Sequence, residues 1–159
     1  MRSLIVALTV ALAAVSPIQA QTNGTQYCDL SSVLQSAGSR AAIGGVECRL
    51  EVEAWLDFMP PLPKPGAPLY ARVTVGALQA SLPRGLRISG VWIVVPGGGA
   101  PPAADLRHQP QDSAGRLQTI AVFDRPPDTS AGIRVGVALY VDGFTAFLAT
   151  DVRKIDRVY

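Results

Sequence analysis

Histidine, cysteine and lysine are scarce in this 159-residue chain, and each scarcity removes a class of chemistry. His108 is the single histidine, so a nucleophile would have little choice of base and a copper or zinc centre would have few ligands. Outside the first twenty residues, Met59, Cys28 and Cys48 are the remaining soft donors. The two cysteines lack the CxxC spacing of dithiol redox and zinc sites. No GxSxG nucleophile elbow occurs, and Gly97-Gly98-Gly99 lacks the Lys-Ser/Thr pair that completes a phosphate loop. Charged residues make up only 16% of the chain, with 14 basic against 12 acidic, and they are scattered. Such a balance gives no field to attract nucleic acid or an anionic membrane. No cofactor or metal site is expected.

Long apolar runs are also missing. The stretch from Leu4 to Val15 is twelve residues, short of the roughly 20 that span a bilayer. With Arg2 before it and a short tail ending in a small residue after it, residues 1–20 read as a secretory signal peptide. Pro17 ends the helix that the run would form and leaves the backbone near Ala20 extended for a peptidase. Cleavage after Ala20 is therefore expected, with Ile18 bulkier than the usual residue at its position. Retention would leave an N-terminal membrane anchor instead. Export points to the periplasm or to secretion. Lys64 and Lys154 are the only lysines in a chain rich in Ala, Gly, Pro and Arg, a bias that fits a GC-rich bacterial source.

Removing the signal leaves 139 of the 159 residues, the size of one domain with one core. In an oxidising compartment an even number of thiols is most simply paired. A Cys28–Cys48 disulfide would close a loop of about 20 residues and contribute roughly 3 kcal/mol.

What the chain has in quantity is alternation. Residues 21–46 form a polar leader in which Asp29 could cap one or two helical turns over Leu30, Val33 and Leu34, and its Asn23-Gly24-Thr25 triplet reads as a flexible segment rather than a glycosylation site. From Cys48 to Phe58, apolar even positions alternate with Glu47, Arg49, Glu51, Glu53, Trp55 and Asp57, which predicts a half-buried strand. The proline-rich run 59–68 stops it. A second strand is expected over Leu69 to Leu78, a two-faced apolar strand over Leu86 to Val95 with Trp92 in the core, and another over Arg116 to Phe123. Between the last two, residues 96–115 look too polar and broken to form an element. Ile133 to Val141, Asp142-Gly143 and Phe144 onward make the pattern of a type I′ hairpin, and the tail from Asp151 adds a last strand.

Six or seven strands without a long amphipathic helix predict an all-β chain. The expected architecture is an antiparallel β-sandwich of immunoglobulin-like or fibronectin-like type over residues 47–159, with a small β-barrel as the runner-up.

Function is far less legible. His108 lies near Asp105 and Asp112 in a polar segment, so one reading is a metal-dependent or hydrolytic enzyme built on those residues. Glu51 and Glu53 lie about 7 Å apart on one strand face, a spacing open to acid/base work, but Arg49 and Asp57 beside them mark a wet surface of ion pairs. The Pro60-Pro61-Leu62-Pro63 run satisfies PxxP, whose readers are chiefly intracellular. The reading that best survives is a non-enzymatic exported protein that binds another protein or an envelope component. Its surface would comprise the 60–68 and 96–115 connections and Trp55, an outward aromatic that a neighbouring strand or the leader could cover. A structural role through an exposed strand edge is the remaining alternative.

Overall fold

β-Strands carry most of the computed structural model, which describes residues 29–59, 67–94, 102–107, 112 and 114–159. The signal segment, Cys28, the Asn23 triplet, the PxxP run and His108 lie outside the described residues. In chain order the elements are α1 (Leu30–Ser36), β1 (Arg40–Ile43), β2 (Val46–Asp57), β3 (Leu69–Ala77), β4 (Arg87–Val94), β5 (Asp105–Arg107), β6 (Leu117–Phe123), β7 (Ile133–Val141), β8 (Phe144–Val152) and β9 (Ile155–Val158).

Two sheets share one core. The larger runs β1-β2-β3-β6-β5 with β9 added to β2, and the smaller runs β4-β7-β8. Pairing is antiparallel throughout except for β9, which lies parallel to β2. The strands do not close into a barrel, which corrects the runner-up expectation. Alternation explains the layering: Leu50, Ala54, Leu69, Val73 and Val75 turn inward from the larger sheet to meet Val91, Ile93, Val135, Val137 and Leu139 from the smaller one.

At each flank one stretch of chain crosses between the sheets. The Gly38 carbonyl accepts from Ala149 N–H of β8 at 2.9 Å, and the next carbonyl, Ser39, accepts from Leu50 N–H of β2 at 2.8 Å. On the far side, Pro102 and Ala104 bond to β4 before the chain enters β5 and pairs with β6. Residues 96–115 were expected to hold no element; edge pairing, which has no hydrophobic signature of its own, supplies one.

The expected leader likewise contains β1, which forms a hairpin with β2. Gly44 and Gly45 occupy positive φ (56° and 79°) between Ile43 and Val46, as Asp142 and Gly143 do (46° and 86°) between β7 and β8. Both are two-residue turns of the I′ kind, whose twist suits paired strands. A domain boundary at residue 47 would cut through the first hairpin.

The two sheets treat their outer faces differently. On the smaller sheet, Gly90, Gly136, Ala138 and Ala149 leave a low floor. Trp92, expected in the core, instead folds its ring over Gly90 on this outer face and is half-buried. A Cβ on Gly136 would lie 2.7 Å from a Leu34 methyl, so only glycine lets α1 sit this close. Leu34 is fully buried there. Asp29 caps the helix start through Ser31 N–H, and the Arg134 guanidinium holds its other end by donating to the Leu34 and Ala37 carbonyls. The same guanidinium pairs with Asp151 at 2.8 Å, its register partner on β8.

Leu34→Ala is expected to lower stability by about 2–5 kcal/mol, and Gly136→Val by a comparable amount through steric exclusion of the helix. The double variant should cost clearly less than the sum in urea unfolding, since removing the Leu34 methyls makes room for the valine; strict additivity would mean that the two do not meet.

Candidate binding surface on the larger sheet

The outer face of the larger sheet carries charge and aromatic rings on β2, β3 and β9. Odd positions of β2 point outward, and register sets their neighbours: Trp55 lies opposite Tyr70 on β3 and Asp156 on β9, and Glu53 lies opposite Arg72. The Trp55 and Tyr70 rings stack with centroids 5.6 Å apart and planes 10° from parallel. The neighbouring strand thus covers part of Trp55, which is half-buried. Arg72 places its guanidinium 5.8 Å from the Trp55 ring centroid and 2.9 Å from a Glu53 carboxylate oxygen. Lys154 and Asp156 pair at 3.0 Å on the other side.

These residues border a groove of about 560 Å³ along an incomplete strand edge. On the side of β2 away from β3, β1 pairs with residues 46–49, Ser39 reaches Leu50, and β9 begins at Ala54. Glu51, Val52 and Glu53 have no strand partner in register on that side. Trp55 lines the groove and Tyr70 does not, so Tyr70 backs the indole from behind.

A second cavity of about 480 Å³ lies at the end of the smaller sheet, over Ile93, Val94, Ile133 and Val152. Three of its charged groups are already engaged: Arg134 holds α1 and Asp151, and Asp128 accepts from Ser130 N–H. That bond, with the Ser130 hydroxyl, holds the Asp128 carboxyl below its ordinary range. We read this cavity as part of the helix anchorage.

The residues singled out from sequence are dispersed. Asp105 is exposed on β5 and shares the outer face with Trp55 through the register Trp55, Tyr70, Val122, Asp105. Three strand spacings put it about 14 Å away. Asp112 belongs to a turn, where its carboxylate accepts from Ala114 N–H and Arg116 N–H, both at 2.9 Å, and from Arg116 Nε at 2.7 Å. The Arg116 N–H bond, ahead of the guanidinium and Ala114, holds the Asp112 carboxyl below the usual carboxylate range. Glu51 pairs with Arg49 at 3.5 Å, so both strand glutamates have a cation beside them on the wet face.

Among the described residues there is no disulfide, and Cys48 is a free thiol, fully buried on the inner face of β2. Its Sγ lies 3.6 Å from the Val46 carbonyl, and burial pushes its pKa up. The helix that follows position 28 lies on the outer face of the smaller sheet, so that sheet stands between α1 and the Cys48 thiol. No cluster of three or more His, Cys, Asp or Glu able to hold a metal occurs among the described residues, and no described helix is long and apolar enough to cross a membrane.

Tyr70, Arg72, Lys154 and Asp156 were not anticipated as site residues. Alternation alone puts Tyr70 and Arg72 on the outer face, but only register brings Asp156 beside Trp55. No family model, curated protein or solved structure matches the chain.

Cys48 should resist alkylation in the native protein at neutral pH and label on unfolding without reductant; a requirement for reductant would reveal a cross-link. The turn prefers the Asp112 carboxylate, so its contribution is present above the ordinary aspartate range and is lost as pH falls through the lower folded-state value. In an NMR titration the Arg116 amide should shift with a midpoint below 3.8, the ordinary value.

Proposed function

We propose that this chain is an exported, non-enzymatic recognition protein: a β-sandwich of immunoglobulin-like or fibronectin-like type that presents the face around Trp55 to a protein or envelope component. The observation that carries this reading is the braced indole at the edge of a groove, flanked by ion pairs and by a span of β2 that no strand covers. A half-buried tryptophan with an arginine guanidinium beside its ring on a rigid sheet has the character of a binding hot spot, because the stacked indole loses little freedom when a partner closes over it. Localisation in the periplasm or outside a bacterial cell follows from residues 1–20, read as a signal cleaved after Ala20. Binding centred on a sheet face shifts the emphasis away from the loops that sequence alone suggested.

The test is capture from an envelope extract by the exported protein, with the bound material analysed by mass spectrometry. Trp55→Ala should weaken capture by about 30-fold or more, the effect of losing a hot spot worth about 2 kcal/mol. Phe144→Ala is the control, because that ring is 76% exposed at the β7–β8 turn, away from the groove. Capture that survives Trp55→Ala and disappears with Phe144→Ala would move the binding surface to the hairpin tip and overturn this assignment.

A further inference from the structure

We propose that the groove beside Trp55 binds a neutral pyranose unit of a glycan, an assignment that rests on the recognition reading above and names its ligand class. A pyranose has C–H faces of low polarity and a rim of hydroxyls that both donate and accept. The groove offers the complement of each. Trp55 supplies an aromatic wall that Tyr70 holds in place from behind, at 5.6 Å between centroids. Around it stand two carboxylates, Glu53 and Asp156, that accept hydrogen bonds, and two cations, Arg72 and Lys154, that donate them.

Charge selects among ligands. The four groups form two ion pairs, at 2.9 and 3.0 Å, so the rim carries no net charge and gives an anionic ligand no advantage. All four side chains are substantially exposed, and exposed pairs of this kind contribute little to stability, so turning one toward a hydroxyl costs little.

Shape selects further. Leu50 N–H points to Ser39 and Phe58 N–H to Val158, both on the edge away from β3. Val52 has the same parity and sends its backbone polar groups toward that edge, where it lines the groove. β1 and β9 close the opening to three residues, too short to add an extended peptide as a new strand. The volume of about 560 Å³ falls in the ~300–1,000 Å³ range of small-ligand sites. A compact, uncharged, hydroxyl-rich ligand meets all these conditions.

The experiment uses the exported full chain on an array of neutral oligosaccharides containing gluco-, manno-, galacto- and N-acetylglucosamine units, with polygalacturonate as the anionic comparison. Hits are quantified by calorimetry and tryptophan fluorescence. At least one neutral glycan should bind one to one, with little change in 1 M NaCl. Trp55→Ala should weaken it at least tenfold and Trp55→Phe less, while Lys154→Ala weakens it severalfold and Phe144→Ala leaves it unchanged. Circular dichroism and thermal unfolding establish that each variant is folded. Failure of every neutral glycan to bind at millimolar concentration, preference for polygalacturonate, or binding indifferent to Trp55→Ala would each overturn the proposal. If envelope capture still depends on Trp55 while no glycan binds, the sugar assignment fails and the recognition reading stands; if capture too is indifferent to Trp55, both fail.

Discussion

The structure depends on one long strand with two differently occupied edges. β2 extends over twelve residues because apolar and charged side chains alternate along it, and nine of those residues pair with β3. Its other edge is shared by β1, antiparallel at the start, and β9, parallel at the end. Two strands arriving from opposite ends of the described chain therefore meet along one backbone without quite touching. The opening at Glu51, Val52 and Glu53 follows from that division, and the groove follows from the opening.

Packing around this strand is organised by contrast between the two outer faces. Small residues on the smaller sheet let α1 and the Trp92 ring lie close, and Arg134 secures the helix through its C-terminal carbonyls, where a cation also suits the helix dipole. The larger sheet has Glu53, Arg72, Trp55 and Tyr70 outward and no helix over them among the described residues. One face is thus covered around Gly136 by the chain itself, and the other is left with side chains suited to contact something else. The proposed recognition role extends this asymmetry from packing to function.

Conserving the rigidity of the Trp55 site requires no separate device. Tyr70 stacks on the indole because the two are direct register partners, and Arg72 reaches both Glu53 and the ring from the next outward position on the same strand. The same hydrogen bonds that hold the sheet set the spacing of the site. Asp112, by contrast, is occupied by the turn that it stabilises, and Asp105 sits three strands from Trp55. The acidic residues that drew attention in the sequence serve local structure or stand apart.

Alternation made β2, β3, β6 and the β7–β8 hairpin legible in advance, because a period of two is imposed directly by strand geometry, and Asp142-Gly143 marked its own turn through positive φ. β1, β5 and β9 were harder to read: they are short edge strands of three or four residues, held largely by backbone bonds that leave little trace in side-chain pattern. Trp92 was misplaced for a related reason, since an apolar run can face either way until a bulge sets its parity, and the shift between Ile88 and Gly90 does so here. By itself the sequence determined which side chains of β2, β3 and β7 turn inward and where the main hairpin bends, for these are local consequences of backbone geometry. Only the tertiary structure decided that a free Cys48 thiol lies in the core, that α1 covers the smaller sheet, and that Lys154 and Asp156 join Trp55 at a gap in β2. Those outcomes depend on which distant strands become neighbours, and pairing across a hundred residues leaves no periodic mark.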